Sequence, residues 1–287
     1  MARRRNGPGG DRRLRARARR AQALGPQPPL LEPGPSNPVV RTSPARGGAL
    51  AARLNPSRLE ALAPGTRNLL RGLSERPWSS DFYLAGSAAL ALYLGHRPVR
   101  DLDLMSPANR LAPQDRRDLL ADLLALSPGA RVETARDGYL SVWLPTPPSG
   151  PDAPSLEETS SDIALRLFYY PYPLVEPLGQ QELAVASAVD LGLMKLGAII
   201  SRGSRRDFVD LHLLCRELPL AGLLERAAEK FGHVGDFALQ AMKGLADTGA
   251  AAGEPMPGLA AELDWQEVEA WISTEVEAAG RELLPTP

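Results

Sequence analysis

Residues 81–105 read DFYLAGSAALALYLGHRPVRDLDLM. The first piece, DFYLAG (81–86), is a short apolar run closed by glycine, which predicts a buried strand. SAALALYLGHRP predicts a helix stopped by Gly95 and Pro98. RDLDLM (100–105) alternates polar and apolar residues, which predicts a strand with two unlike faces. Gly86-Ser87 therefore falls at a strand-to-helix junction. Glycine allows a ligand to approach the backbone closely. The helix start offers free N–H groups and the positive dipole end, an anion site. Many such turns also use Gly-Ser simply for capping. Asp101 and Asp103 stand two apart on the predicted strand, so both carboxylates point to one side. They repel unless a cation or a basic group lies between them. Oxygen-rich sites of this kind suit Mg²⁺ completed by phosphates. A solvated face with the aspartates paired to Arg97 or Arg100 is the plainer reading of the same residues.

Working outward, residues 55–76 predict helix interrupted near Pro64-Gly65. An amphipathic helix is predicted over 113–126, and RVETARDGYLSVWL (131–144) forms two alternating runs around Asp137-Gly138, a hairpin signal. Residues 145–160 predict a loop, and DIALRLFYYPYPL (162–174) a strand ended by prolines. Helices follow over 187–202, 205–218, about 220–231, about 234–246 and 264–283. The predicted class is α/β (α+β): a small mixed sheet with flanking helices, then an all-helical C-terminal part. The expected division is an arm (1–48), a core (49–186) and the helical part (187–287).

The chain of 287 residues is 44% hydrophobic and 23% charged, enough to bury a core. It contains no run of 18 uncharged apolar residues, so no membrane span is expected. One cysteine, Cys215, excludes a disulfide framework, and three scattered histidines argue against zinc. The net charge of −1 hides an asymmetry: residues 1–50 hold eleven Arg against two acids, +9, which leaves −10 for the rest. The Pro- and Gly-rich arm has little to bury and is expected to be disordered. It is either a salt-sensitive attractor for nucleic-acid phosphates or a functionless Arg-rich tail. No apolar stretch follows its arginines, so a secretory signal is not expected, and a cytoplasmic protein is.

The segment SAVDLGLMKLGAIISRGSRRDFVDL (187–211) predicts two helices. Val189, Leu193, Leu196 and Ile200 form a stripe, with Asp190 and Lys195 off it. Ser187-x-x-Asp190 and Ser204-x-x-Asp207 resemble capping boxes with Asp in place of Glu or Gln. Lys195 lies in an apolar stretch from Leu191 to Ile200 and needs an anion there. A phosphate would serve, as would Asp101, Asp103 or Asp190.

The combination resembles the nucleotidyltransferase superfamily. FYLAGSAALALYLGHRPVRDLDLM, YPYPLVEP and VASAVDLGLMKLGAIISRGSRRDFVDLHLL are together similar to the AbiEii/AbiGii family of nucleotidyltransferase toxins, over roughly 80–218 with a family-like helical tail. The resemblance implies that Gly86 and Ser87 hold nucleotide phosphates and that Asp101 and Asp103 bind Mg²⁺ (or Mn²⁺). It implies that Lys195 reaches the triphosphate with Asp190 positioning it, and that Arg205, Arg206 and Asp207 form the last motif. The implied reaction moves a nucleotide from an NTP to an acceptor hydroxyl, with tRNA or another RNA as acceptor, and a cognate antitoxin encoded next door. Polymerase-type relatives carry a third carboxylate on a later strand. Here that strand offers Asp162 at its start, with Arg166 at mid-strand; Glu133 and Asp207 are the other candidates. Without a third acid, a nucleotide-binding module that transfers weakly becomes the alternative. The acidic folded part also suits a cationic small-molecule acceptor.

Overall fold

A computed structural model describes residues 55–145 and 162–283. The basic arm (1–48) and nearly all of the predicted loop 145–160 lie outside the described residues. In chain order the elements are α1 (Pro64–Ser74), β1 (Tyr83–Ala85), α2 (Gly86–Leu94), β2 (Leu102–Ser106), α3 (Pro113–Leu126), β3 (Arg131–Arg136), β4 (Tyr139–Leu144) and β5 (Ile163–Tyr169). Then come α4 (Ala188–Ser201), α5 (Arg205–Cys215), α6 (Leu220–Phe231), α7 (Phe237–Ala246), the single turn α8 (Gly249–Ala252) and α9 (Trp265–Leu283). The class is α/β, as expected.

The sheet order is β1-β2-β5-β4-β3. β2 and β5 run parallel, with Asp103 opposite Arg166, while every other pairing is antiparallel. Period-two alternation divides the sheet into two faces. Leu84, Leu102, Leu104, Leu140, Val142, Leu165 and Leu167 share one face and are at most 1% exposed. The opposite face carries Asp103, Arg166, Ser141 and Tyr139, set side by side by the same register. The functional face and the apolar face are thus alternate residues of the same strands.

Several boundaries differ from expectation for local reasons. No helix spans 55–76; α1 starts at Pro64, whose fixed φ suits a first helical position, and only a 3-10 turn, Leu59–Ala61, precedes it. β5 stops at Tyr169 because Pro171 and Pro173 have no N–H for a ladder. α7 starts at Phe237, because Asp236 before it takes a left-handed conformation (φ 55°). α5 ends at Cys215, three residues short of the predicted end.

The described residues all belong to one unit, residues 38–287. Sheet residues such as Leu104 and Leu165 share one apolar cluster with Leu196, Phe208, Phe231, Val268 and Ile272 of the C-terminal helices. α4 is the hinge of this packing, lying against α2, α5, α6 and α7. Residue 187 therefore marks a change of secondary structure within one shared core.

Candidate active site

The site is built around the turn from β1 into α2. Ala85 is extended, and Gly86 takes φ +62°, a left-handed conformation that disfavours any side chain. A Cβ at Gly86 would lie 2.4 Å from Asp103 Oδ2. Glycine is therefore required twice, for its backbone and for the space. The outcome sets the Asp103 carboxylate directly against the first turn of α2, whose N–H groups favour anions. Ser87, half-buried, donates from Oγ to Asp210 Oδ2 at 3.4 Å.

Asp101 and Asp103 do point to one side, and a basic group does lie between them. It is Arg166, not Arg97 or Arg100: Nη2 donates to Asp101 Oδ2 and Nη1 to Asp103 Oδ1, each at 3.3 Å. The second oxygen of Asp101 accepts from the Ala164 N–H at 3.2 Å, tying it to β5. The carboxylate side chains remain 41% and 25% exposed, whereas Arg166 beneath them is 10% exposed. Burial works against the guanidinium charge, but Asp103 and Asp101 outweigh it and raise the Arg166 pKa.

The polar strip continues across the sheet. Ser141 stands opposite Arg166, and its Oγ donates to Glu133 Oε2 at 2.7 Å. Glu133 reaches that side because the β3–β4 register shifts there: Val132 faces Val142, and Thr134 faces Ser141. The extra residue is a β-bulge, which redirects a side chain. Tyr139 lies in the same strip, and its hydroxyl is pushed up chiefly by burial. Arg136 stacks over its ring at 5.2 Å.

Behind Ser87 lies a second, buried constellation. Lys195 Nζ is 2.7 Å from Asp210 Oδ2 and 3.0 Å from Asp207 Oδ1. Asp210 also accepts from Arg97 Nε at 3.0 Å and pairs with His96 Nε2 at 2.9 Å. Asp207 accepts from Arg202 Nε at 2.7 Å and from Ser204 Oγ at 2.6 Å. Burial alone would raise both carboxyls; the cations around them prevail and hold each well below the usual carboxylate range. Lys195, Arg97 and Arg202 outnumber the two aspartates, so the cluster backs the α2 N-terminus with net positive charge.

Several expected site residues have different partners. Lys195 meets Asp207 and Asp210, not Asp101, Asp103 or Asp190, because α4 and α5 pack face to face. Asp190 does not position Lys195. It caps α4 through Ser187, accepts from the Val175 and Glu176 N–H groups, and pairs with Lys230 Nζ at 2.7 Å. Asp207 is fully buried and committed to Lys195, Arg202 and Ser204, which removes it as an acceptor-side base. Arg205 points to the C-terminal helices, donating to the Ala251 carbonyl and stacking on Trp265 at 4.7 Å. Arg206 is exposed on the same turn. Asp162 pairs with Arg131 at the start of β5, two residues before Ala164, whose N–H bonds Asp101. Sequence reading passed over Asp210, His96, Arg202 and Lys230, and gave Arg97 the wrong partner. Asp210 carried a signal: it follows Asp207 by three residues, hence on the same helix face.

Two part-exposed carboxylates on one strand face are a donor set that fits a single divalent cation. Among the described residues no group of three His, Cys, Asp or Glu side chains gathers around a common point. Arg166 stands opposite Asp103 at mid-strand on β5.

Residues 68–277 match the family described as nucleotidyl transferase AbiEii toxin, type IV toxin–antitoxin system. An uncharacterized protein of Aquifex aeolicus is 28% identical over 202 residues, 69% of this chain and 87% of that protein. Among solved structures, the nucleotidyltransferase toxin MenT4 of Mycobacterium tuberculosis is 15% identical with a TM-score of 0.44, covering 79% of this chain and 87% of MenT4. JHP933 of Helicobacter pylori is 15% identical with a TM-score of 0.41, covering 77% of this chain and 99% of JHP933. The family match runs from α1 into α9 and takes in the glycine turn, the paired aspartates and the Lys195–Asp210 cluster; the chain belongs to the AbiEii family of nucleotidyltransferase toxins.

Proposed function

We propose that this toxin transfers a nucleotide from an NTP to an RNA hydroxyl, tRNA foremost, in a reaction that needs Mg²⁺ or Mn²⁺. One observation carries the site assignment: Asp103 meets the N-terminus of α2 so closely that no Cβ fits at Gly86. Backbone N–H groups of α2 receive the phosphates, and the buried Lys195 and Arg97 with the more exposed Arg202 supply favourable potential behind them. Lys195 acts through Asp210 and Ser87, orienting the turn. Asp101 and Asp103 would hold the divalent cation, which when bound would offset charge on the phosphates. The acceptor oxygen attacks the α-phosphorus as the bond to the pyrophosphate oxygen breaks, and pyrophosphate leaves.

An RNA acceptor is supported by Arg136, stacked over Tyr139 on the strip, which suits a phosphate backbone with stacked bases. Glu133 is a further carboxylate that reaches this side of the strip, accepting from Ser141 Oγ. It lies three strands from Asp103, roughly 14 Å across the sheet, too far to share one cation or to take the acceptor proton, which passes to water. Membership of a type IV family implies a cognate antitoxin. Among the described residues no helix is long and apolar enough to cross a membrane.

Incubation of purified protein with each labelled NTP, Mg²⁺ and total tRNA tests the reading. Label should enter the tRNA fraction, and Asp103→Ala should lower the rate by about 10²–10³-fold or more. Label entering a small cationic acceptor but never RNA would replace the acceptor class. Full activity in Asp103→Ala would remove the site.

A further inference from the structure

The guanidinium of Arg166 lies where a cation between Asp101 and Asp103 would draw its ligands. Parallel pairing fixes it there, because Arg166 is the register partner of Asp103. Both Asp101 oxygens are engaged, one by Arg166 and one by the Ala164 N–H. A divalent ion bridging the two carboxylates must compete for the lone pairs that Arg166 holds, and it does so beside a fixed positive charge. Arginine cannot escape by losing its proton. Its charge can be released only to another anion, and a triphosphate at the α2 N-terminus is the anion this site is built to receive.

Resting on the site reading above, we propose that Arg166 is a positioning residue that occupies the cation's place in the free protein. It surrenders the two aspartates when the triphosphate arrives, so divalent cation and nucleotide enter as a pair. By linkage, whatever factor nucleotide adds to cation affinity, cation adds to nucleotide affinity. Free cytosolic Mg²⁺ then leaves the protein largely unloaded until substrate is present.

The test titrates Mn²⁺ into the full chain, followed by electron paramagnetic resonance, with and without the four α,β-methylene ribonucleoside triphosphates. Four proteins are compared: wild type, Arg166→Gln, Arg166→Lys and Asp103→Asn. Arg166→Gln should bind Mn²⁺ alone at least about tenfold more tightly than wild type, a factor within the usual range of site coupling. The gain in Mn²⁺ affinity from nucleotide should shrink correspondingly. Arg166→Lys keeps the charge without the fork; it should shift the same way by a smaller factor, and it reads the contrast if the Gln variant lacks a cooperative unfolding transition. Equal Mn²⁺ affinity without nucleotide in wild type and both Arg166 variants overturns the gate while leaving the site intact. Failure of wild type to bind Mn²⁺ even with nucleotide, or unchanged binding in Asp103→Asn, overturns the site reading itself.

Discussion

Lys195 reaches two buried carboxylates, and its removal strands both. Lys195→Met should therefore cost about 3–5 kcal/mol in a urea titration, the usual penalty for breaking a buried ion pair. A loss under about 1 kcal/mol would mean that Arg97 and Arg202 suffice for Asp210 and Asp207. The same pair sets an acid limit. The unfolded chain takes up protons at its aspartates near pH 3.9, and the native Asp207 and Asp210 only at lower pH. Their contribution is thus complete above about pH 4 and is lost as pH falls through the lower native values. The urea midpoint should fall progressively as pH drops below about 4 towards 2, and the fall should be smaller in Asp210→Asn. Gly86→Ala should reduce transfer more than stability, because its methyl group must displace Asp103. Asp101, Asp103 and the glycine turn were legible because period-two alternation and a strand-to-helix junction are local patterns. The anion for Lys195 was not, since Asp210 lies fifteen residues away on another helix and only packing brings it near.

At the level of elements, Asp190 and Lys230 join α4, α6 and the segment after β5. Both side chains are completely buried, and Lys230 also donates to the Pro173 carbonyl. Asp190→Ala should destabilise by about 3–5 kcal/mol, whereas Asp190→Leu combined with Lys230→Met should recover much of that loss, as apolar replacement of a buried pair commonly does. Thermal melts of the single and double variants check this; an equally damaged double variant would show that the freed Val175 and Glu176 N–H groups dominate the cost. The capping pattern Ser187-x-x-Asp190 was readable and is present, but the same carboxylate serves three further donors drawn from the segment after β5 and from α6. Hairpin and helix positions followed from Asp137-Gly138 and helical periodicity. The bulge at Glu133 left no mark in the sequence, because a one-residue shift depends on the partner strand.

For the molecule as a whole, the shared core predicts joint unfolding. In a Trp78→Phe, Trp143→Phe background, Trp265 and Trp271 fluorescence reports the last helix and should lose its native signal at the same urea concentration as far-ultraviolet circular dichroism. Two separated transitions would indicate that the helical part melts alone. The class and order of elements were legible from the 81–105 stretch outward, whereas the way α5 returns to the start of α2 was not. That return has a consequence for synthesis. Arg97 and Asp210 are 113 residues apart, so a ribosome adding about 5–20 residues per second needs roughly 6–23 s to make the second after the first. Until α5 leaves the exit tunnel, Arg97 and Lys195 have no carboxylates and the Gly86 turn has no backing. A chain cut short before residue 207 should therefore transfer no nucleotide, which the tRNA-labelling assay on the purified fragment checks.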